Sequence, residues 1–274
     1  MNEYDMSVQK REFEYNQSDF LFIKKILHEK SGIELHEGKE VMVYSRLARR
    51  LKELNMSSFK SYCDFVSKPE GASELMQMIN ALTTNLTHFF RENHHFEHLK
   101  NIILPAHLSS DKKHKMRIWS AGCSTGEEPY SIAMTVLENP QIKSIDFKIL
   151  ATDIDTNVVA TAQKGEYLDG SAIPASYISK YCDEKPGGKI QIKQPVKSLI
   201  QFNPLNLQEG WPMNGTFDVI FCRNTVIYFS KKTQAVLFDR FANILSPDGW
   251  LFIGHSESLY NVTERFELAD SNSR

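Results

Sequence analysis

A glycine turn followed by two adjacent carboxylates is the segment of this chain best suited to ligand chemistry. SAGCSTGEEPYS (120–131) places Gly122 and Gly126 after an apolar run, and Glu127 and Glu128 where a helical pattern begins. Glycines let a ligand approach the backbone, and a helix N-terminus exposes N–H groups. The turn matches neither G-x-G-x-x-G nor a Walker loop. Its acids would repel a pyrophosphate and favour a positively charged ligand, although acids here also stabilise a helix dipole.

A further carboxylate ends the next apolar run, FKILATDID, which predicts a buried strand. In doubly wound folds, an acid at this strand tip accepts hydrogen bonds from ribose hydroxyls, so Asp153 is the candidate. Asp155, two residues further on, could instead cap the following helix. The glycine turn and Asp153 together indicate an adenosine ligand. They do not separate nicotinamide cofactors from S-adenosylmethionine, but the adjacent acids favour S-adenosylmethionine.

Histidines form a second group of residues with ligand chemistry, namely His88, His94, His95 and His98. His94 and His98 are four residues apart, a spacing that binds zinc on a helix, but H-E-x-x-H is absent. We therefore predict solvated helix side chains and no metal.

The elements that must position these residues fall into two parts. Up to about Leu82 the pattern is helical, and it predicts an all-α N-terminal domain over 1–82. Its first helix should stop at Gly32. The helix in VMVYSRLARRLKELN carries Arg46, Arg49 and Arg50 largely off its apolar stripe. By default, such an arginine cluster is a solvated face.

After a segment at 83–110 that we treat as a linker, apolar runs alternate with helical patterns. The strand candidates are MRIWSAG, FKILATDID, TFDVIFCRN and GWLFIGHSE. This alternation predicts an α/β, Rossmann-like, doubly wound domain over 111–274, with a parallel sheet between helices. The stretch at about 168–202 interrupts it. We predict an inserted small antiparallel β-subdomain there, with a disordered loop as the alternative.

Composition excludes several classes of protein. The chain has 274 residues, a formal net charge of −2, and 41% hydrophobic residues. This charge gives no general attraction to nucleic acid or to an anionic membrane. The N-terminus lacks an apolar signal region, no run is long enough for a membrane span, and the four cysteines form no C-x-x-C pair. We predict a cytoplasmic protein that does not insert into membranes.

Five motifs in order resemble one family. They are TTNLTHFFRE, WSAGCSTGEEPYSIA, ATDIDTNVVATAQKGEY, FDVIFCRNTVIYF and GHSESL, and SGIELHEGKEVMVYSRLARRLKEL resembles the same family's N-terminal domain. The family is the CheR family of chemotaxis receptor glutamate O-methyltransferases, and the resemblance runs from about Phe20 to about Leu268. Thr225 stands where the family commonly has an apolar residue.

The resemblance implies S-adenosylmethionine as the cofactor and S-adenosylhomocysteine as the product. It implies that the cofactor-binding residues are Asn85, Thr87, Arg91, Gly122, Glu128, Asp153, Asn206, Leu207, Asn224 and Thr225. Arg91 and Tyr228 are the catalytic candidates, although Tyr228 also fits aromatic packing. Arg46, Arg49 and Arg50 would face a receptor's methylation helices, and the β-subdomain can dock a receptor's C-terminal peptide.

The reaction implied is direct displacement, in which a glutamate carboxylate attacks the sulfonium methyl group. A glutamate with a reference pKa of about 4.3 is already ionised at neutral pH, so no general base is needed. Two alternatives stay open. One is a methyltransferase acting on RNA or a small molecule, and the other is a non-catalytic S-adenosylmethionine sensor or scaffold.

Overall fold

The structure is a computed structural model that describes residues 11–111 and 114–269. Most of the N-terminal segment on which the absence of a signal peptide was predicted lies outside the described residues. The chain divides into two compact units, one ending at Thr83 and one beginning at Thr84. Within the described ranges, no helix has both the length and the apolar composition needed to cross a bilayer.

The first unit is helical. Its helices are α1 (Gln17–Ser31), α2 (Glu40–Glu53), α3 (Phe59–Val66) and α4 (Ala72–Leu82). α1 begins with a capping box between Asn16 and Asp19 and ends at Gly32, which has φ 75°. The stop predicted at Gly32 is therefore confirmed, because this left-handed conformation favours glycine. α1 packs against α3 and α2 against α4, and Phe20, Val43 and Leu47 are buried in this unit.

The second unit mixes helices and strands. Its helices are α5 (His94–His98), α6 (Leu104–Ser109), α7 (Glu127–Leu137), α8 (Thr156–Lys164), α9 (Ala175–Tyr181), α10 (Gln194–Lys197) and α11 (Lys231–Ile244). Its strands are β1 (Lys115–Ala121), β2 (Asp146–Asp153), β3 (Glu166–Tyr167), β4 (Cys182–Lys185), β5 (Lys189–Ile192), β6 (Ile200–Pro204), β7 (Phe217–Cys222) and β8 (Leu245–Ile253). A π-helical turn, Leu99–Ile103, joins α5 to α6.

The main sheet has the strand order β6-β2-β1-β7-β8, and each neighbouring pair is parallel. The predicted parallel sheet and its four strands are confirmed. β6 was not predicted, because it is a short edge strand in which only Phe202 is buried. The chain runs outward from β1 through β2 to β6 and returns to place β7 on the other side of β1. The order of the strands therefore reverses between β1 and β7.

A second, antiparallel sheet has the order β3-β5-β4, which confirms the predicted small subdomain. Pro186–Gly188 forms the turn between β4 and β5. The insertion ends earlier than predicted. Residues 200–204 pair in parallel with β2 and belong to the main sheet.

Side chains of the main sheet alternate between two apolar layers, as the pleat requires. Ile118 and Val219 pack with α7 on one side, and Trp119 and Ile220 pack with α11 on the other. The segment treated as a linker contributes to the first layer, because Phe96 of α5 stacks on a β7 ring at 6.0 Å. That segment is packed into the second unit and is not a free connection.

Candidate functional site

The candidate site lies at the carboxyl ends of β1, β2 and β7, beside the point where the strand order reverses. Ligands of open α/β sheets bind at this position. Gly122 follows β1 with φ 100°, and a Cβ on it would lie 2.3 Å from Thr225 Oγ1. The structure thus brings together these two predicted cofactor residues. Only glycine fits here, because both the conformation and the space exclude a side chain.

Asp153 ends β2 and holds the turn after β1. Its Oδ2 accepts a hydrogen bond from the Ser124 N–H (2.8 Å) and its Oδ1 accepts one from the Asp155 N–H (3.0 Å). Ser124 has φ 48°, a left-handed conformation that is uncommon outside glycine and that this bond stabilises. Burial raises the pKa of Asp153. Each carboxylate oxygen still has acceptor capacity for a ligand hydroxyl.

Asn85 joins the same cluster through Asp155. The Asn85 side-chain amide donates to Asp155 Oδ2 (2.7 Å), and the Asn85 backbone carbonyl accepts from the Ser124 hydroxyl (2.9 Å). Asp155 Oδ1 accepts from the N–H groups of Asn157 and Val158, so its predicted role as the cap of α8 is confirmed. Asn85, a predicted cofactor residue, therefore lies against the loops that follow β1 and β2.

Glu128 forms an ion pair with Arg223, a residue to which the sequence analysis assigned no role. Glu128 accepts from the Ser120 hydroxyl (2.7 Å) and from Arg223 Nη1 (3.0 Å). The Arg223 side chain is only 2% exposed, and its Nη2 lies 3.3 Å from Glu92 Oε2. One guanidinium thus lies between two carboxylates and leaves a net negative charge when both are ionised. This charge suits a cationic ligand, while burial raises the pKa of Glu128.

The same arginine fixes the backbone that carries Arg91. Arg223 Nη2 donates to the Arg91 carbonyl, and Arg91 itself donates from Nη1 to the Leu86 carbonyl (3.0 Å). Glu92 has φ 54°. Its burial opposes ionisation, but the hydrogen bond from His255 and the charge of Arg223 lower the pKa of Glu92 to about 2.

Two of the four histidines, His95 and His98, are less solvated than predicted, whereas His88 and His94 are exposed as predicted. The His95 side chain is 13% exposed and its ring packs, tilted, against Phe252 at 4.9 Å, and the His98 ring packs in the same way against Trp250 at 4.6 Å. No sign of this packing is visible in the sequence, because Trp250 and Phe252 belong to β8, which is distant in the chain from His95 and His98. The ligand atoms of Glu92, His94 and His95 lie within 4.8 Å of one another. Burial and the Arg223 charge lower the pKa of His95 to about 3, so its imidazole is neutral at pH 7.

The loops after β7 and β8 meet at Glu257. Its carboxylate accepts hydrogen bonds from the backbone N–H groups of Asn224, Val226, Ile227 and Gly254. Burial raises the pKa of Glu257, and these bonds act in the opposite direction. Tyr228 ends the 3₁₀ turn Val226–Tyr228 and is half-buried. The Thr225 hydroxyl donates to the Arg223 carbonyl at 3.1 Å, so this departure from the family pattern is bonded within its own loop.

The remaining predicted cofactor residues lie around this centre. Thr87 is half-buried in the segment before α5. The Leu205 N–H donates to the Asp153 carbonyl (2.8 Å), which places the loop after β6 beside Asp153. In that loop, the Asn206 side chain accepts from the Gln208 N–H, and Leu207 is buried with its carbonyl bonded to Arg240.

In the first unit, the three arginines predicted to bind a receptor have different environments. Arg50 pairs with the buried Glu74 at 2.9 Å and 2.6 Å, and Arg46 donates to the carbonyls of Ala81 and Thr83. The Arg49 side chain is 84% exposed, and among the described residues its ion pair is with Glu53 on its own helix. Arg46 and Arg50 therefore hold this unit together, and Arg49 presents its charge to solvent.

Sequence reasoning missed Glu92, Arg223, His255 and Glu257. One signal was present for Arg223, since an arginine directly after the apolar run FDVIFC needs a buried partner. No local signal pointed to Glu92 as that partner.

The site fits an adenosine cofactor with a cationic end. A glycine turn without room for a Cβ, an acid at the tip of β2, and excess carboxylate charge near Arg223 occur together. Fold and site together define the class of Rossmann-like, S-adenosylmethionine-dependent methyltransferases.

Comparisons with known proteins assign the family. Residues 18–83 match the CheR methyltransferase all-alpha domain, and residues 85–274 match the CheR methyltransferase SAM binding domain. A probable chemotaxis protein methyltransferase of Rhizobium etli is 48% identical over 240 residues, which cover 85% of this chain and 89% of that protein. Chemotaxis protein methyltransferase 2 of Pseudomonas aeruginosa is 40% identical over 92% of this chain and 91% of its own length. The chemotaxis protein methyltransferase of Escherichia coli is 38% identical over 91% of this chain and 87% of its own length.

The chain therefore belongs to the CheR methyltransferase family. It is an enzyme that uses S-adenosylmethionine for methylation in chemotaxis.

Proposed function

We propose that this enzyme methylates glutamate side chains on the cytoplasmic helices of chemotaxis receptors, and so acts in the cytoplasm. The names of its relatives support a substrate in chemotaxis. The observation that carries the proposal is the cluster at the strand-order reversal, where Asp153, Gly122 and Thr225 lie close to the largely buried Glu128–Arg223–Glu92 network.

In the proposed complex, Asp153 accepts hydrogen bonds from the ribose. The methionyl end lies near Gly122, Glu128, Asn224 and Thr225, and the adenine lies near Asn206 and Leu207. Asn85, Thr87 and Arg91 contact the cofactor from the segment before α5. Support comes from the position of Asn85 on the loops after β1 and β2.

The nucleophile is the substrate carboxylate, which attacks the methyl carbon while the C–S bond breaks and S-adenosylhomocysteine leaves. Since the carboxylate is ionised at neutral pH, catalysis consists of alignment and partial desolvation. We propose that Arg91 and Tyr228 orient the carboxylate. The pH–rate profile should then show only an acid limb, and a basic limb near neutrality would contradict this mechanism.

Receptor recognition is assigned to two surfaces. Arg49, on the exposed side of α2, is the charged contact for acidic receptor helices. The small β3-β5-β4 sheet is the dock for a C-terminal receptor peptide, since its outer strand β4 can accept an added strand.

The test combines calorimetric titration with S-adenosylhomocysteine and transfer of a labelled methyl group to chemoreceptor-containing membranes. We expect binding and a label that is released in alkali, because esters hydrolyse there and methylated amines do not. Binding without transfer would favour a sensor or a different substrate, and absence of binding would refute the site.

A further inference from the structure

One carboxylate bridges the loops that follow β7 and β8. Glu257 Oε2 accepts from the N–H groups of Asn224 (2.9 Å) and Gly254 (2.6 Å), and Oε1 accepts from those of Val226 (2.9 Å) and Ile227 (3.3 Å). The side chain thus bonds three of the four N–H groups between residues 224 and 227 and ties them to the end of β8.

The bridged segment has a backbone that needs external support. Asn224 has φ 55°, a conformation that costs free energy in a residue with a side chain. The 3₁₀ turn Val226–Tyr228 follows at once, and the first N–H groups of a helical turn have no partner within it. Glu257 supplies partners to two of those groups and to Asn224.

Gly254 gives independent evidence that the two loops are fitted to each other. A Cβ on Gly254 would lie 2.5 Å from Asn224 Nδ2 and 2.9 Å from the Asn224 backbone nitrogen. A side chain at residue 254 would therefore push the two loops apart, although its backbone conformation itself does not require glycine.

We infer that Glu257 is a positioning residue of this methyltransferase. It holds residues 224–228 so that Asn224 and Thr225 face the cofactor and Tyr228 faces the reacting groups. Its effect on catalysis passes through those residues. The inference rests on the proposed roles of Asn224, Thr225 and Tyr228 and adds the group that sets their geometry.

The test compares four variants by S-adenosylhomocysteine calorimetry and by steady-state kinetics with receptor membranes. Glu257→Gln keeps the size but turns an amide N–H₂ towards backbone donors. Glu257→Asp keeps the charge on a shorter side chain, and Gly254→Ala separates the loops without changing charge. Glu264→Gln is the matched control, since Glu264 is exposed seven residues further on.

For Glu257→Gln and Gly254→Ala we expect at least a fivefold weaker affinity for S-adenosylhomocysteine and at least a tenfold lower kcat. KM for the receptor should change less than twofold, and Glu257→Asp should recover part of the loss. Loss of stability alone would not lower cofactor affinity and kcat in the folded enzyme while leaving KM for the receptor unchanged.

A folded Glu257→Gln enzyme with cofactor affinity and kcat within twofold of the wild type would overturn the inference. If Glu257→Gln does not fold, Glu257→Asp and Gly254→Ala decide in the same way. Failure of all three to fold at any cofactor concentration would assign Glu257 to stability alone and likewise overturn it. If the wild type binds the cofactor product but does not label receptors, the proposed function fails, while the affinities still decide the role of Glu257.

Discussion

At the scale of single residues, the Glu92 carboxylate has partners of three kinds, namely Arg223, His255 and Asn224. Its pKa is lowered from 4.5 to about 2. Between these values the unfolded chain binds a proton that the folded protein does not, so stability falls as the pH drops through this window. Above pH 4.5 the full contribution is present.

Glu92→Gln should therefore lower the free energy of unfolding at pH 7 by about 3 kcal/mol. The difference from the wild type should shrink as the pH falls below about 4.5. Urea unfolding between pH 3 and pH 7 measures it, with Glu184→Gln on the exposed face of β4 as the control. A difference that is the same at every pH would show that Glu92 acts by packing.

Asp153 allows a second test on one side chain. Asp153→Ala removes the acceptor for the Ser124 N–H and for the proposed ribose hydroxyls. We expect S-adenosylhomocysteine affinity to fall by on the order of 1.5–3 kcal/mol, or about 10- to 150-fold. Calorimetry measures this, and Asp183→Ala on β4 is the control. Unchanged affinity in a folded Asp153→Ala protein would remove Asp153 from the cofactor site.

At the level of elements, α2 carries two adjacent arginines with different roles: Arg50 pairs with a buried carboxylate, and Arg49 is exposed. Arg50→Ala leaves the buried Glu74 without its guanidinium, which should destabilise the first unit by about 3 kcal/mol. Arg49→Ala should change stability by less than about 0.5 kcal/mol. Circular dichroism during urea unfolding compares the two, and equal losses would contradict this assignment.

Receptor labelling completes the comparison on α2. Arg49→Ala should reduce methyl transfer to receptor membranes while S-adenosylhomocysteine affinity is unchanged, because the variant loses only an exposed charge. Full labelling by Arg49→Ala would argue against α2 as a receptor contact.

Elements with long apolar runs were predictable from the sequence, and short or half-exposed ones were not. β1, β2, β7 and β8 each contain an apolar run that is recognisable in the sequence, whereas β6 buries one side chain. The glycine turn and Asp153 were predictable because each acts where its own strand ends. The Arg223 network was not, since its bond to Glu128 joins residues 95 positions apart.

At the scale of the whole molecule, tryptophan fluorescence distinguishes the unfolding of the second unit from that of the first. Trp119, Trp211 and Trp250 all lie in the second unit, so their fluorescence reports on that unit alone. At 100 times its Kd, S-adenosylhomocysteine should stabilise this unit by about 2.7 kcal/mol. The fluorescence midpoint in urea should rise accordingly. An unmoved midpoint at saturating ligand would place the binding site elsewhere.

The pairing of β1 with β7 also affects how the protein is made. Ile118 pairs with Val219, so about 100 residues must leave the ribosome before β1 gains its second neighbour. At roughly 5–20 residues per second, the apolar edge of β1 stays open for about 5–20 s of synthesis. An open strand edge is a site for pairing with another chain. Nascent copies of this enzyme should therefore depend on chaperones during that interval. A substitution in the cofactor site would not change this dependence, because the site forms only after β7 has paired with β1.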